Sequence, residues 1–169
     1  VSPKTLKIKA PKETGKTFKS NSELKANYFY VKSKMISLSD DSGLEVSALN
    51  NRPGIFSARW AKKYGNFYKA MKVILSKLSK SKNRKAKFIC SLSIKINKKK
   101  IITAIGKVNG KISKNIIGNK GFGYDPIFIP IGYKISYGQM SRAQKMKIDH
   151  RNIAFKKLKK KLKSNKFFI

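Results

Sequence analysis

The chain has 169 residues, 40% of them hydrophobic, which suits one folded domain of ordinary size. Its 41 Lys and Arg residues against seven Asp and Glu give a formal net charge of +34, which would attract any polyanion. No apolar run approaches the roughly 20 residues that cross a bilayer, and no stretch has the layout of a signal peptide. The single cysteine, Cys90, excludes an internal disulfide and is expected in the core. We therefore expect a cytoplasmic protein with no membrane partner.

The excess positive charge comes almost entirely from lysine. Only five of the 41 basic residues are Arg, although specific phosphate and base readers rely on the forked guanidinium. Abundant Ile and Asn accompany the Lys, a mixture typical of a compositional bias at permissive surface positions. A basic nucleic-acid-binding module stays an alternative, but no specific nucleic acid partner is expected. Acidic residues that remain against this lysine-rich background are therefore expected to be required for structure or function.

The first part of the chain predicts a helix. Irregular chain is expected through about residue 16, and spaced apolar residues predict a helix from Thr17 to Val31. Ser20 or Asn21 is expected to cap its start. Lys25 would lie one turn from Asn21 on the same helix face.

Three of the seven acidic residues fall within the eight residues 39–46. The run 35–38 predicts a strand that ends in a turn there, and residues 44–49 predict a second short strand. Adjacent residues of a strand point to opposite faces, so one of Asp40 and Asp41 is expected to face a ligand while the other braces the turn. An Asx turn without a ligand is the alternative.

A turn at residues 51–54 leads into residues 55–60, which fit neither helix nor strand clearly. Arg59 in this stretch is either a solvated surface charge or a phosphate clamp. Apolar residues at helical spacing then predict a helix over residues 66–78 with a structural role.

The centre of the chain predicts a β-hairpin. Strict alternation makes residues 86–97 a half-buried strand, and residues 101–108 pair with it. The dipeptide Asn109-Gly110 predicts a turn into a further strand over residues 111–116.

Three glycines surround two aromatic residues and an aspartate in residues 118–126. This composition predicts a loop whose backbone approaches a ligand, with an aromatic ring that stacks on a nucleobase. The alternative is a connection whose aromatic residues return to the core. Residues 127–129 predict a buried strand, and residues 141–145 predict a short capped helix.

The last predicted helix runs from His150 to about Lys163, with Asp149 as its N-cap. The only histidine of the chain therefore lies at a helix start beside Arg151. Free N–H groups there favour anions, and both side chains add donors. A purely structural histidine is the alternative.

Together these stretches resemble one known family. The motifs are Asp-Asp-Ser-Gly-Leu-Glu-Val at 40–46, Pro-Gly-Ile-Phe-Ser-Ala-Arg at 53–59, Gly-Phe-Gly-Tyr-Asp-Pro at 121–126, and Lys145 with His150-Arg151. They closely resemble the inosine triphosphate pyrophosphatase family, in its order and approximate spacing, and the likeness covers nearly the whole chain.

The resemblance implies a fold and an activity. The fold is α/β, with an elongated mixed β-sheet that floors a cleft and is flanked by helices, in a single domain over residues 1–169. The activity is hydrolysis of ITP, dITP and XTP to the monophosphate and pyrophosphate, which removes these non-standard purine nucleotides from the pool. The resemblance also implies Mg²⁺ as cofactor and a homodimer.

The resemblance also assigns roles to residues. Asp41 matches the proton acceptor and, with Glu13, the magnesium ligands. Ser42 matches a substrate contact, while Lys25 and Arg59 match positions that face phosphates. The residues that match the purine pocket are Phe122, Gly123, Tyr124, Asp125, Lys145, His150 and Arg151.

Two departures from the family pattern stand out. Family members open with a strand and a loop of the form Thr/Ser-x-Asn-x-x-Lys that grips the triphosphate, and nothing before Glu13 matches it. The chain is therefore expected to be N-terminally incomplete, and an inactive fragment of the family is a further alternative. Asp149 stands where Ser is usual, and it is expected to alter the polarity beside the base pocket.

Overall fold

The computed structural model describes residues 1–164, so residues 165–169 of the predicted domain lie outside the described residues. It contains five strands: β1 (Ser37–Val46), β2 (Arg52–Pro53), β3 (Lys85–Lys95), β4 (Ile101–Ile112) and β5 (Phe128–Pro130). They form one sheet in the order β2-β1-β3-β4-β5, flanked by helices, which confirms the predicted α/β class.

Every strand pairing in this part of the chain is antiparallel, so the expectation of a mixed sheet is wrong for the described residues. The connections between the strands explain the antiparallel pairing. A short loop joins β3 to β4, and two helices return the chain to the same end of the sheet, so that Val46 at the end of β1 lies opposite Ala86 at the start of β3. A parallel pair would instead need a crossover to the other end of the sheet.

Five helices complete the described fold: α1 (Phe18–Ser33), α2 (Ser57–Tyr64), α3 (Phe67–Lys77), α4 (Arg142–Ile148) and α5 (His150–Ser164). The predictions of α1, α3, α4, α5 and the β3–β4 hairpin are confirmed. The unassigned residues 55–60 form a 3₁₀ turn that leads into α2. No helix within residues 1–164 is long and apolar enough to cross a membrane.

The predicted cap of α1 is wrong in its residue. Thr17 is the N-cap, and its hydroxyl accepts from the Ser20 backbone N–H while Ser20 returns the bond in a capping box. Asn21 lies inside the helix and is fully buried. Asp149 does cap α5 as predicted, because its Oδ1 accepts from the N–H groups of Arg151 and Asn152.

The acidic stretch is the middle of a strand, and the predicted turn is wrong. β1 runs unbroken through Asp40 and Asp41, and all ten of its residues pair with β3. Residues 54–57 pack closely against the backbone of β1 at Gly43, since a Cβ at this position would collide with the Gly54 carbonyl and the Ser57 hydroxyl. Asp and Gly have low strand propensity, and tertiary packing overrides it.

The predicted turn at Asn109-Gly110 is also wrong. β4 continues to Ile112, with Asn109 opposite Lys87 on β3 and Gly110 opposite Pro130 on β5. The flanking strands hold this segment extended, so the dipeptide that favours a hairpin turn lies within a ladder.

Helices α1 and α5 cover opposite faces of the sheet. Ser91 on β3 contacts α1, whereas Phe88 stacks on His150 of α5 with ring centroids 4.8 Å apart. Strand residues alternate between faces, and Asp41 pairs with Ser91. Asp41 therefore faces α1, and its neighbour Asp40 faces α5.

Two apolar clusters lie on the α5 face. The larger joins β1, β3 and β5 to α3 and includes Leu44, Ile74, Phe88 and Phe128, while the smaller joins β3 and β4 to α5 around Leu158. Within the described chain, α1 contributes no residue to either cluster. Cys90 is fully buried, as predicted.

Candidate active site

A cavity of about 320 Å³ lies at the edge of β1 that faces away from β3. In the described residues, this edge has a strand partner only at Glu45 and Val46, so side chains from both faces of the sheet reach it. The predicted site residues that line it are Glu13, Lys25, Asp41, Ser42, Arg59, Phe122, Gly123, Tyr124, Asp125, His150 and Arg151. Asp40 lines it as well, so the prediction that only one of the two aspartates faces the ligand site does not hold.

Two carboxylates and two cations form a cluster in this cavity. Lys25 Nζ donates to Glu13 Oε1 at 2.6 Å and to Asp41 Oδ1 at 3.1 Å. Arg59 Nη2 donates to Glu13 Oε2 at 3.2 Å, and Asn21 Nδ2 donates to Asp41 Oδ2 at 3.3 Å. Each of the four carboxylate oxygens therefore accepts a hydrogen bond.

The pKa values of the two carboxylates are shifted in opposite directions, although both groups pair with Lys25. Burial raises the pKa of Asp41 above its ordinary value, and this outweighs the lowering by Lys25. Burial also acts to raise the pKa of Glu13, but Lys25 and Arg59 outweigh it, so that pKa is lowered. The pKa values differ because the Asp41 side chain is 8% exposed and pairs with one cation, whereas the Glu13 side chain is 28% exposed and pairs with two. Asp41 is thus the more basic group.

Asn21 is a site residue that sequence reasoning took only as a helix cap. It accepts from the Gly15 N–H at 2.8 Å and donates to Asp41. The available signal was its spacing from Lys25, since residues four apart share a helix face and both reach the same carboxylate.

Asp40 has a different function from the predicted turn brace. Its Oδ2 accepts from Ser42 Oγ at 2.9 Å and lies 3.8 Å from Arg151 Nε. Asp40 therefore links a residue of β1 to the start of α5. Glu45, the third acidic residue of the stretch, pairs with Lys87 at 3.0 Å outside the cavity wall.

Aromatic rings form one wall of the cavity. Phe122 is 68% exposed, and its ring packs edge-to-face on Phe67 with centroids 5.0 Å apart. Phe67 also packs edge-to-face on Tyr124, whose hydroxyl donates to the Ser57 carbonyl at 2.9 Å. Phe67 was assigned a structural role in α3, and no feature of its sequence context distinguishes it from a core residue.

A buried ion pair holds the glycine-rich loop. Asp125 is 1% exposed, and its Oδ2 accepts from the Phe122 N–H at 2.6 Å and from Lys145 Nζ at 2.5 Å. Burial raises the pKa of Asp125 despite Lys145. Lys145 does not line the cavity and joins the site through Asp125.

His150 is buried and neutral. Burial, with Arg151 and Lys145, lowers its pKa to about 3, although Asp149 acts against them. Its Nε2 lies 3.3 Å from Arg151 Nη1, which can only donate, so Nδ1 carries the hydrogen. Among the described residues Nδ1 has no hydrogen-bond partner, and the nearest Asp149 oxygen is 3.8 Å away.

The neutral His150 predicts acid-sensitive stability. Its pKa is about 3 when folded against 6.5 ordinarily, so between these values the unfolded state binds the proton. The free energy of unfolding then falls by up to about 1.4 kcal/mol per pH unit as the pH drops. Urea unfolding at pH 7, 6 and 5 measures this dependence. The free energy of unfolding should fall less over this range in His150→Gln than in the wild-type protein. Asp41 and Asp125, with raised pKa values, contribute with the opposite sign in both proteins. Equal slopes of unfolding free energy against pH in the wild-type protein and His150→Gln would contradict the prediction.

Comparison with known proteins gives a consistent family. The chain matches the Ham1 family over residues 1–161. It is 44% identical to a dITP/XTP pyrophosphatase of Flavobacterium psychrophilum, over 86% of this chain and 76% of that protein. It is 45% identical to a dITP/XTP pyrophosphatase of Clostridium perfringens, over 89% of this chain and 78% of that protein.

A solved structure agrees with these sequences. The Ham1 protein of Staphylococcus aureus superposes with a TM-score of 0.90 at 35% identity, over 97% of this chain and 85% of that chain. The family resemblance predicted from the sequence motifs is confirmed. This chain belongs to the Ham1 family.

Proposed function

We propose that this protein hydrolyses the non-standard purine nucleoside triphosphates ITP, dITP and XTP to the monophosphate and pyrophosphate. The observation that carries the proposal is one cavity lined both by the cluster of Glu13, Lys25, Asp41 and Arg59 and by an aromatic wall with His150. The first set suits a triphosphate and the second suits a purine. The relatives named dITP/XTP pyrophosphatase support the same substrate class.

Asp41 is the proposed proton acceptor. The oxygen of the attacking water bonds to the α-phosphorus, and the water proton passes to the Asp41 carboxylate. The bond from the α-phosphorus to the oxygen that bridges to the β-phosphate breaks, which releases pyrophosphate. Burial, together with the charge of Glu13, makes Asp41 a stronger base than an exposed aspartate. Lys25 and Arg59 balance the negative charge of the leaving group.

Glu13 and Asp41 fit a Mg²⁺ site. Their carboxylates converge on one cation, Lys25 Nζ, at 2.6 and 3.1 Å, and carboxylate oxygens are the ligands that Mg²⁺ prefers. Within residues 1–164, no group of three or more His, Cys, Asp or Glu side chains is arranged to hold a metal. Magnesium ions bound with nucleotides commonly take one or two carboxylates, and substrate phosphates and water supply the other ligands. When bound, Mg²⁺ supplies positive charge against the phosphates and lowers the pKa of the attacking water.

The proposed purine site discriminates by hydrogen-bond donors. The buried Nδ1–H of His150 and the guanidinium of Arg151 offer hydrogens that the six-oxo group of hypoxanthine or xanthine accepts. The amino group of adenine would leave these donors unpaired and would repel them. The exposed ring of Phe122 is available to stack on the base.

Release of pyrophosphate from ITP, dITP, XTP, ATP and GTP in the presence of Mg²⁺ tests the proposal. We expect kcat/KM for the first three substrates to exceed that for ATP by at least about 10²-fold, because adenine leaves buried donors unpaired. Equal rates with ATP would contradict the specificity. Absence of release from a folded protein would favour an inactive member of the family, and salt-dependent DNA binding without release would favour the nucleic-acid alternative.

The proposal extends to a homodimer that acts in the cytoplasm as one domain. A groove of about 740 Å³ beside the cavity supports association, since Leu38, Met146 and Phe155 line it and are each more than half exposed. Sedimentation equilibrium should give twice the chain mass, and a monomer at micromolar concentration would contradict the dimer.

A further inference from the structure

A cluster of hydroxyl groups lies between α1 and the sheet, outside the residues assigned above. Ser22 Oγ lies 2.9 Å from Ser91 Oγ and 2.7 Å from Ser93 Oγ. Ser93 Oγ lies 2.9 Å from Thr103 Oγ1, which donates to Glu23 Oε1 at 2.7 Å. The three serines are fully buried. These four hydroxyls, here called the hydroxyl cluster, connect one helix to two strands.

Ser22 is the centre of the hydroxyl cluster. Besides its two serine neighbours, its Oγ donates to the Lys19 carbonyl at 2.9 Å. The four hydroxyls supply four hydrogens for five close oxygen–oxygen contacts, so one contact at a time lacks a hydrogen, and Ser22 takes part in three of the five. A displacement of α1 would leave buried hydroxyls without partners, which is unfavourable because they would lose hydrogen bonds without regaining bonds to water.

The position of α1 depends on these bonds because no α1 residue belongs to an apolar cluster of the described fold. Its buried apolar side chains are Phe18 and Ala26, and Leu24, Tyr28, Phe29 and Tyr30 are only half-buried. Apolar contacts are not directional, whereas hydrogen bonds weaken steeply with distance and angle. The hydroxyl cluster therefore sets where α1 lies on β3.

The hydroxyl cluster adjoins the carboxylate that the chemistry uses. Asn21 precedes Ser22 on α1, and Lys25 lies three residues after it, and both contact Asp41. Ser91 is the register partner of Asp41 across the β1–β3 pair. A shift of α1 relative to Ser91 would change both distances at Asp41.

We propose that Ser22 is a positioning residue, which through Ser91 and Ser93 fixes α1 on β3 and so holds Asn21 and Lys25 on Asp41. Ser22 is fully buried and does not line the cavity, so it acts through the other residues. The inference rests on the proposed function, because it assigns a kinetic consequence to the geometry around Asp41.

Steady-state kinetics of Ser22→Ala with dITP test the proposal at a temperature where circular dichroism shows a folded protein. We expect kcat to fall about tenfold, since small misplacements of reacting groups are costly. KM should change by a smaller factor than kcat, because Lys25 is the only proposed substrate contact on α1, whereas Arg59, Phe122 and His150 lie elsewhere. Ser22→Thr retains the hydroxyl and should recover most of kcat. The double variant Ser91→Ala/Ser93→Ala should match Ser22→Ala.

Combining all three alanine substitutions separates positioning from independent destabilisation. Since the serines act as one unit, the triple variant should lose no more kcat than either parent. Ser113→Ala is the matched control, because this buried serine bonds the Asn115 carbonyl outside the cavity. Unchanged kcat in folded Ser22→Ala, losses that multiply, or an equal loss in the control would overturn the proposal.

Crystal structures of the same variants provide a readout that needs no activity. Lys25 Nζ lies 3.1 Å from Asp41 Oδ1, and Ser22→Ala should lengthen this distance beyond about 4 Å, the reach of an ion pair. An unchanged distance would overturn the proposal. If the wild-type protein released no pyrophosphate, the proposed function would fail, and the positioning role would be judged on these distances alone.

Discussion

Asp41→Asn is expected to lower kcat for pyrophosphate release by about 10²–10⁴-fold, the usual contribution of a general base. The amide keeps the shape of the carboxylate, but its single oxygen can accept from only one of Lys25 and Asn21 where they now lie, and it cannot take a proton from water. Removal of one buried negative charge also removes a proposed Mg²⁺ ligand. The free energy of unfolding should change little, because burial already disfavours the charged form of Asp41.

Glu45→Gln is the matched control for this prediction. Glu45 lies on the same strand and the same face as Asp41, but it pairs with Lys87 and does not line the cavity. The kcat of Glu45→Gln should stay within about twofold of wild type, because its side chain lies outside the cavity and pairs with Lys87 rather than with a site residue. An Asp41→Asn protein as active as Glu45→Gln would remove Asp41 from the mechanism.

Gly106→Ala is expected to destabilise the fold by about 3 kcal/mol, near the upper end for an overpacked core. A Cβ on Gly106 would overlap the His150 carbonyl and approach the backbone of Ala154, at 2.5 Å from its N and 3.1 Å from its Cα. Both contacts are backbone atoms of α5, so no rotamer change relieves them. The melting temperature should fall by roughly 6–12 °C.

The same substitution should weaken substrate binding. Displacement of α5 would carry His150 and Arg151 with it, so KM for dITP should rise more than kcat falls. Lys107→Ala, the exposed neighbour on β4, should leave both stability and KM near wild type. Ala154→Gly should fail to rescue Gly106→Ala, since the clash involves the backbone. Rescue by that second change would contradict the steric explanation.

Segments with a regular spacing of apolar residues could be predicted from the sequence, whereas strand β1 could not. Helix α3 and the β3–β4 hairpin follow directly from apolar spacing, because one face of each is buried. β1 was misread because Asp40, Asp41 and Gly43 resemble a turn locally. What keeps them extended is pairing along β3 and the approach of the Gly54 carbonyl, and neither is visible in a local pattern.

The candidate site divides in the same way. Motif resemblance identified the residues that converge on the cavity, since they lie in stretches of unusual composition. Phe67 and Asn21 were missed because their roles arise from contacts across the fold. The hydroxyl cluster gave no signal, because buried serines on a strand look like ordinary surface residues in a sequence.

The pairing of β1 with β3 also decides which aspartate can act as the base. A slip of one residue would exchange the two faces, with Asp40 against Lys25 and Asp41 against Arg151. The same slip would turn Leu44 out of the apolar core and Glu45 into it. Which aspartate can act as the base therefore depends on the face of the sheet that it occupies. Burial of apolar residues such as Leu44, which do not contact the substrate, fixes that face. An inserted residue between Asp41 and Leu44 should abolish activity, whereas one before Ser37 should be tolerated.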